Sequence, residues 1–128
     1  CKYAEEFFAK TEVRCLCYLP NDLPDMPLHP RCRHQMFLAV KEGLNNVLKH
    51  ASARQVTINV MLRGGCLRVE VTDDGQGFDL DEIGEVGEGI RNMQERMKAA
   101  RGQMFMQSKR ANGTCLVFEM PVDKEVRE

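Results

Sequence analysis

Residues 55–62 and 66–73 alternate apolar and polar side chains on a two-residue period, and Gly64-Gly65 lies between them. Val56, Ile58, Val60 and Leu62 share one parity of the first run; Leu67, Val69, Val71 and Asp73 share one parity of the second. Successive strand side chains point to opposite faces, so the pattern predicts an antiparallel hairpin with one buried and one wet face. It also makes Asp73 conspicuous. A carboxylate stands on the core parity at the C-terminal end of its strand, and Asp74, Gly75, Gln76 and Gly77 follow at once. An aspartate so placed presents a fixed hydrogen-bond acceptor to a cleft. The glycines let the backbone turn sharply and let a ligand come close. Strand ends in sheets layered with helices are common ligand sites. Taken alone, Asp-Asp-Gly-x-Gly is also an ordinary turn pattern, so the rest of the chain decides its meaning.

Residues 31–51 place Met36, Phe37, Val40, Leu44, Val47, Leu48 and Ala51 at helical spacing, which forms one apolar stripe. The opposite side carries Gln35, Glu42, Asn45, Asn46 and Lys49. At about 100° per residue, Glu42, Asn46 and Lys49 fall in one narrow sector. A solvated face is the ordinary explanation. Two neighbouring asparagines are poor helix formers, however, and Leu38 in the same sector points to a partly covered surface. Before this helix, residues 2–10 read as the end of a helix, residues 11–19 as a strand, and the proline-rich 20–30 as a loop. After the hairpin, residues 78–88 read as a mobile loop by composition, with Asp79, Asp81, Glu82, Gly84 and Gly87. Helical spacing resumes at Ile90, Met93, Met97 and Ala100, with Gly102 as the expected C-cap. Residues 103–108 and 114–120 form a last strand pair around Asn112-Gly113. The fold expected is α+β: a two-layer sandwich with a mixed sheet of about five strands and helices on one face.

Composition narrows the function. The chain has 128 residues, enough for one domain with a core. Its net charge of −1 provides no general field for nucleic acid, and no apolar run reaches spanning length. No partner nucleic acid and no direct membrane contact are expected. The first residue is Cys1 rather than methionine, which reads as a fragment of something longer. Among the six cysteines, only Cys15 and Cys17 are close in sequence. On a strand they share a face with Val13 and Leu19, as small core residues do. A zinc site would need a second pair or accompanying histidines. Reduced core thiols and a cytoplasmic location are therefore expected.

No Walker P-loop is present, and Gly87-Glu88-Gly89 lacks the third glycine of a dinucleotide fingerprint. No EF-hand spacing occurs, and His29, His34 and His50 form no recognisable triad. Four elements remain: Glu42-x-x-x-Asn46-x-x-Lys49-His50 on a helix, Asp73-x-Gly75-x-Gly77, Gly87-x-Gly89 at a helix start, and Gly113-Thr114 leading the last strand. In this order and spacing they resemble the ATP-binding domain shared by gyrase, Hsp90, sensor histidine kinases and MutL, the Bergerat-type fold. The segments Glu42 to Ala51 and Gly87 to Arg96 look most like the nitrate-sensor type of histidine kinase. The resemblance covers residues 11–122. It leaves 1–10 as the end of a preceding helix or linker and 123–128 as a charged tail.

The resemblance implies ATP and Mg²⁺ as ligands and a role for each matching residue. Asn46 matches the asparagine whose side-chain oxygen holds the metal, an arrangement suited to a hard cation that keeps several waters. Glu42 matches the acidic position one turn earlier, where it orients metal-bound water or accepts a proton. Lys49 is placed to reach phosphate. His50 either joins it or packs as a helix-end histidine. Asp73 matches the acceptor of the adenine amino group, with Gly75 and Gly77 permitting close approach. Gly87 and Gly89 open a helix whose N–H groups face phosphate, with the preceding loop as a lid. Thr114 matches a threonine beside adenine; its alternative is a plain strand threonine. Arg91 and Arg96 receive no role.

The implied activity is transfer of the γ-phosphoryl to a histidine on a separate dimerisation and phosphoacceptor helical domain, then to a response regulator. No acceptor-helix pattern occurs within this chain, and the resemblance leaves membrane anchoring of the parent open. Two other readings share the fold: a serine protein kinase of the anti-sigma type, and a nucleotide-sensing module without catalysis.

Overall fold

A computed structural model describes residues 2–19, 29–77, 84–108 and 111–122; the side chains of residues 50, 51 and 84–86 lie outside the described set. The elements in chain order are α1 (Lys2–Phe8), β1 (Arg14–Tyr18), α2 (Pro30–Asn46) continued by a π-turn (Val47–Ala51), β2 (Gln55–Arg63), β3 (Cys66–Asp73), α3 (Gly84–Ala99), β4 (Gln103–Ser108) and β5 (Thr114–Pro121). The sheet order is β1-β2-β3-β5-β4. β1 runs parallel to β2, and the other neighbours are antiparallel. The mixed five-stranded α+β sandwich expected from the sequence is the architecture observed.

The hairpin falls in the register its pattern demands, with Val56 opposite Asp73, Ile58 opposite Val71 and Val60 opposite Val69. Its core parity continues into β5, where Leu116, Phe118 and Met120 are buried. These side chains face Met36, Ala39 and Leu44 of α2 and Met93 and Met97 of α3 within one core. Gly43 lets α2 lie close on β5: a Cβ there would stand 3.0 Å from Leu116 Cδ1 and 3.4 Å from Phe118 Cζ. On the wet face Arg68 bridges Glu70 and Glu119 at 3.0 and 3.2 Å.

Four sequence expectations need correction. The first strand starts at Arg14 rather than Thr11, and Leu19 is 51% exposed rather than on the core face. Phe37 and Leu48 are also exposed, so the buried stripe of α2 is narrower than its apolar spacing implied. Phe37 packs edge-on against the Tyr3 ring of α1, with centroids 5.0 Å apart. Third, α3 begins at Gly84, so Gly84 and Gly87 belong to the helix and not to a loop; residues 78–83 of the expected lid lie outside the described residues.

Fourth, Gly102 does not hold the left-handed position that closes α3. Arg101 does, at φ 62°. The Arg101 N–H reaches the Lys98 carbonyl at 3.0 Å and the Gly102 N–H the Met97 carbonyl at 2.8 Å, the paired bonds of a Schellman closure. Glycine follows for a different reason: a Cβ at 102 would collide with the Glu119 backbone carbonyl of β5. Gly102→Ala is expected to destabilise the chain by roughly 3 kcal/mol, since backbone must move to admit the methyl. Chemical denaturation read by circular dichroism checks this.

Candidate functional site

The candidate residues fall in two places: the β3 end beside the β4–β5 end, and the facing surfaces of α2 and α3. Asp73 is 7% exposed and is the one buried charged residue among those described. Its Oδ1 accepts the Gly75 N–H at 2.9 Å, and the carboxylate also accepts the Thr114 backbone N–H. Burial pushes its pKa upward from the ordinary range, the two N–H donors pull it back, and the neighbouring Asp74 charge pushes it up again. A carboxylate has about four lone-pair positions. The two backbone donors leave acceptor capacity for a ligand.

The turn after β3 brings Gly77 to φ 61°. The β4–β5 turn closes over it: the Ala111 N–H reaches the Gln76 carbonyl at 2.6 Å. Gly113, at φ 75°, lies so near that a Cβ would strike the Asp73 carbonyl. A cavity of about 270 Å³ opens here, lined by Asp73, Ser108, Asn112, Gly113 and Thr114 among others. The Thr114 hydroxyl is 2.7 Å from that of Ser108. Ser108 is a cavity residue that the sequence reading missed, because only the β4–β5 register sets it opposite Thr114.

The second half of the site is held by close approach of α3 to α2. A Cβ on Gly89 would lie 3.1 Å from Glu42 Oε1 and 3.2 Å from both Asn46 Oδ1 and Nδ2. Glu42 and Asn46 therefore converge on one point of α3, where any larger residue would press on their polar ends. Gly87 and Gly89 are both buried within α3, and Gly89 packs against α2. Glu42 also lines a groove of about 700 Å³ between the two helices, with Lys41, Asn45, Asn92 and Arg96. The Arg96 guanidinium donates to Gln35 Oε1 at 3.2 Å across it.

Lys49 lies in the π-turn and is exposed. The α-helical spacing that set it in the Glu42–Asn46 sector does not extend to it, because the turn is wider there. The His50 side chain lies outside the described residues. His29 caps α2, its Nδ1 accepting the Arg31 N–H at 3.2 Å.

Asp74 has a structural task. Its Oδ1 accepts the Arg54 and Gln55 N–H groups, each at 2.9 Å, pinning the end of β3 to the start of β2. The Gln55 and Arg54 hydrogen bonds hold its pKa below the ordinary 3.8. A carboxyl depressed by folding contributes stability above its unfolded pKa and loses it as pH falls through the folded value. Asp74→Ala should cost about 1–2 kcal/mol at neutral pH, and the difference from wild type should vanish in acid below the carboxylate range. Urea denaturation across a pH series reads both.

Asn46 supplies a hard oxygen beside Glu42 Oε1, the donor chemistry that Mg²⁺ takes. No cluster of three or more His, Cys, Asp or Glu suited to a metal occurs among the described residues.

Residues 33–124 match the family of histidine kinase-, DNA gyrase B- and HSP90-like ATPases. The chain belongs to that family. It is 28% identical over 121 residues to the signal transduction histidine-protein kinase/phosphatase DegS of Bacillus subtilis, covering 92% of this chain and 31% of that protein. It is 38% identical over 89 residues to the sensor histidine kinase MctS of Rhizobium johnstonii, covering 67% and 19%. The chain thus spans about a third or less of these relatives. The histidine kinase domain of the blue-light activated kinase of Erythrobacter litoralis superposes with a TM-score of 0.72 at 20% identity, over 98% of this chain and 59% of that one. The matched span contains Glu42, Asn46, Asp73 and Gly89. No helix among the described residues is long and apolar enough to cross a membrane.

Proposed function

We propose that this domain is the catalytic ATP-binding part of a sensor histidine kinase of the nitrate-sensor type. The observation that carries the reading is the convergence of Glu42 and Asn46 on Gly89; beside it stands the burial of Asp73 at a strand end with acceptor capacity to spare. Asp73 would select adenine, with Gly75 and Gly77 admitting the ring edge and Thr114 beside it. Asn46 would hold Mg²⁺ by Oδ1, and the bound ion would screen the phosphate charge during transfer. Lys49 and His50 would meet phosphate at the end of α2, and Gly87 and Gly89 would let the start of α3 approach it. Glu42 would accept the proton of the attacking imidazole as the N–P bond forms and the bond from Pγ to the bridging oxygen breaks, leaving ADP. The phosphoryl would then pass to a response regulator. That the sequence relatives are named as sensor kinases supports this over a serine kinase or a passive sensor.

The test is phosphorylation in trans. With radiolabelled ATP and Mg²⁺ the chain alone should acquire no acid-labile label, and a helical phosphoacceptor domain from its parent should acquire it when added. Label on His29, His34 or His50, or transfer to serine instead, would overturn the reading.

A further inference from the structure

A second, apolar cavity of about 210 Å³ lies between α1, α2 and the sheet, and shares only Lys41 with the groove beside Glu42. Its walls include Met36, Val40 and Leu44 of α2, Val60 and Val69 of the hairpin, and Met120 of β5. None of its lining residues lines the Asp73 cavity. Val69 precedes Asp73 by four residues on β3, about 13 Å along the strand.

Its polar lining residues are Tyr3, Arg33 and Lys41, and no acidic residue lines it. Arg33 and Lys41 are exposed. Neither side chain makes an ion pair or hydrogen bond among the described residues. The Tyr3 and Phe37 rings stand edge-to-face beside them. The lining therefore joins an apolar interior to unpaired cations and a phenol.

We propose that this cavity binds a medium-chain aliphatic monocarboxylate, its chain inside and its carboxylate against Arg33, with Lys41 adding positive charge about 12 Å along α2. An apolar cavity of about 150 Å³ in a protein core takes up benzene. The larger space here suits a chain of roughly eight carbons by the same measure. A neutral hydrocarbon leaves the two cations unused, and a two-chain lipid exceeds the volume. The guanidinium fork of Arg33 matches a carboxylate in both geometry and charge.

The experiment is a methyl and amide chemical-shift titration of the whole chain with hexanoate, heptanoate, octanoate and 1-octanol. Saturable shifts should centre on Ile58, Val60 and Val69. The dissociation constant should fall about fourfold per added methylene, as burial of each group implies. Octanoate should bind about tenfold tighter than octanol, as expected of a charge-assisted hydrogen bond. The pair Arg33→Gln with Lys41→Gln should erase that preference and leave octanol unchanged. Non-saturable shifts, shifts centred on Asp73, no dependence on chain length, equal binding of octanol and octanoate, or a preference that survives the double substitution would each overturn the proposal.

Discussion

Adenine nucleotides should bind this chain at least about tenfold tighter than guanine nucleotides, and Asp73→Ala should remove most of that binding. A carboxylate near neutral pH only accepts hydrogen bonds. Adenine offers an amino donor on the edge that Asp73 would face; guanine offers a carbonyl oxygen there. In the same pose GTP would set two acceptors against each other in a site where Asp73 is 7% exposed. An unpaired buried polar group costs about 1–3 kcal/mol, which is roughly a tenfold to hundredfold loss of affinity. Asp73→Ala also strands the Gly75 and Thr114 N–H groups that the carboxylate satisfies, so its melting temperature belongs beside its affinity. Asp73→Asn keeps an acceptor oxygen and should bind weakly. Asp74→Ala should bind nearly as wild type, because its carboxylate serves the β2–β3 junction. Calorimetry on the four proteins with ATP, ADP, GTP and GDP decides the matter. GTP binding equal to ATP binding, or greater damage at Asp74 than at Asp73, would sink the adenine assignment.

Asn46→Ala should lower phosphoryl transfer in the trans assay by about a hundredfold or more, the scale of losing one group that stabilises transition-state charge. The fold should survive, since Asn46 is half-buried on the helix–helix face and not in the apolar core. The loss should be accompanied by loss of the Mg²⁺ dependence of nucleotide affinity. Gly89→Ala offers an independent probe. Its methyl would press within 3.1–3.2 Å of Glu42 and Asn46 and should impair transfer without deleting either group. Full activity in Asn46→Ala, or Mg²⁺ dependence unchanged from wild type, would remove Asn46 from the metal site.

The parts of this molecule governed by short-range periodicity were readable from sequence. The two-residue alternation fixed the β2–β3 faces, and with them the burial of Asp73, because a strand has only two sides. The α2 face bearing Glu42 and Asn46 was readable for the same kind of reason. What escaped depends on distant chain or on single-residue irregularity. Asp74 looked like a spare turn carboxylate because its donors, Arg54 and Gln55, lie about twenty residues away. Ser108 gained meaning only through the β4–β5 register. The π-turn at Val47–Ala51 adds no distinctive residue type, yet it ends the regular spacing that Lys49 relied on. Gly87 and Gly89 carried a composition that suits both a mobile loop and a tight helix crossing, and α3 takes the second. The Arg101–Gly102 closure inverts the expected residue order because the carbonyl of Glu119, on another strand, leaves no space at position 102.

The sheet order also divides the domain by the time its parts take to come together. β2 and β3 meet across Gly64-Gly65, and β4 and β5 are near in sequence as well. Such local pairings close small loops and form early. β1 is different: it is an outer strand of five residues, paired in parallel with β2 alone, and all of α2 separates the two. Its docking closes a loop no shorter than that of either hairpin and no longer than that of the β3–β5 pairing, so what sets it apart from β3 and β5 is having a single partner strand. The same weakness operates in the native state. Amide protons held between β1 and β2 should exchange through a partial opening that leaves the β2–β3–β5 centre protected, and their exchange free energy should fall below that of Val69 and Val71.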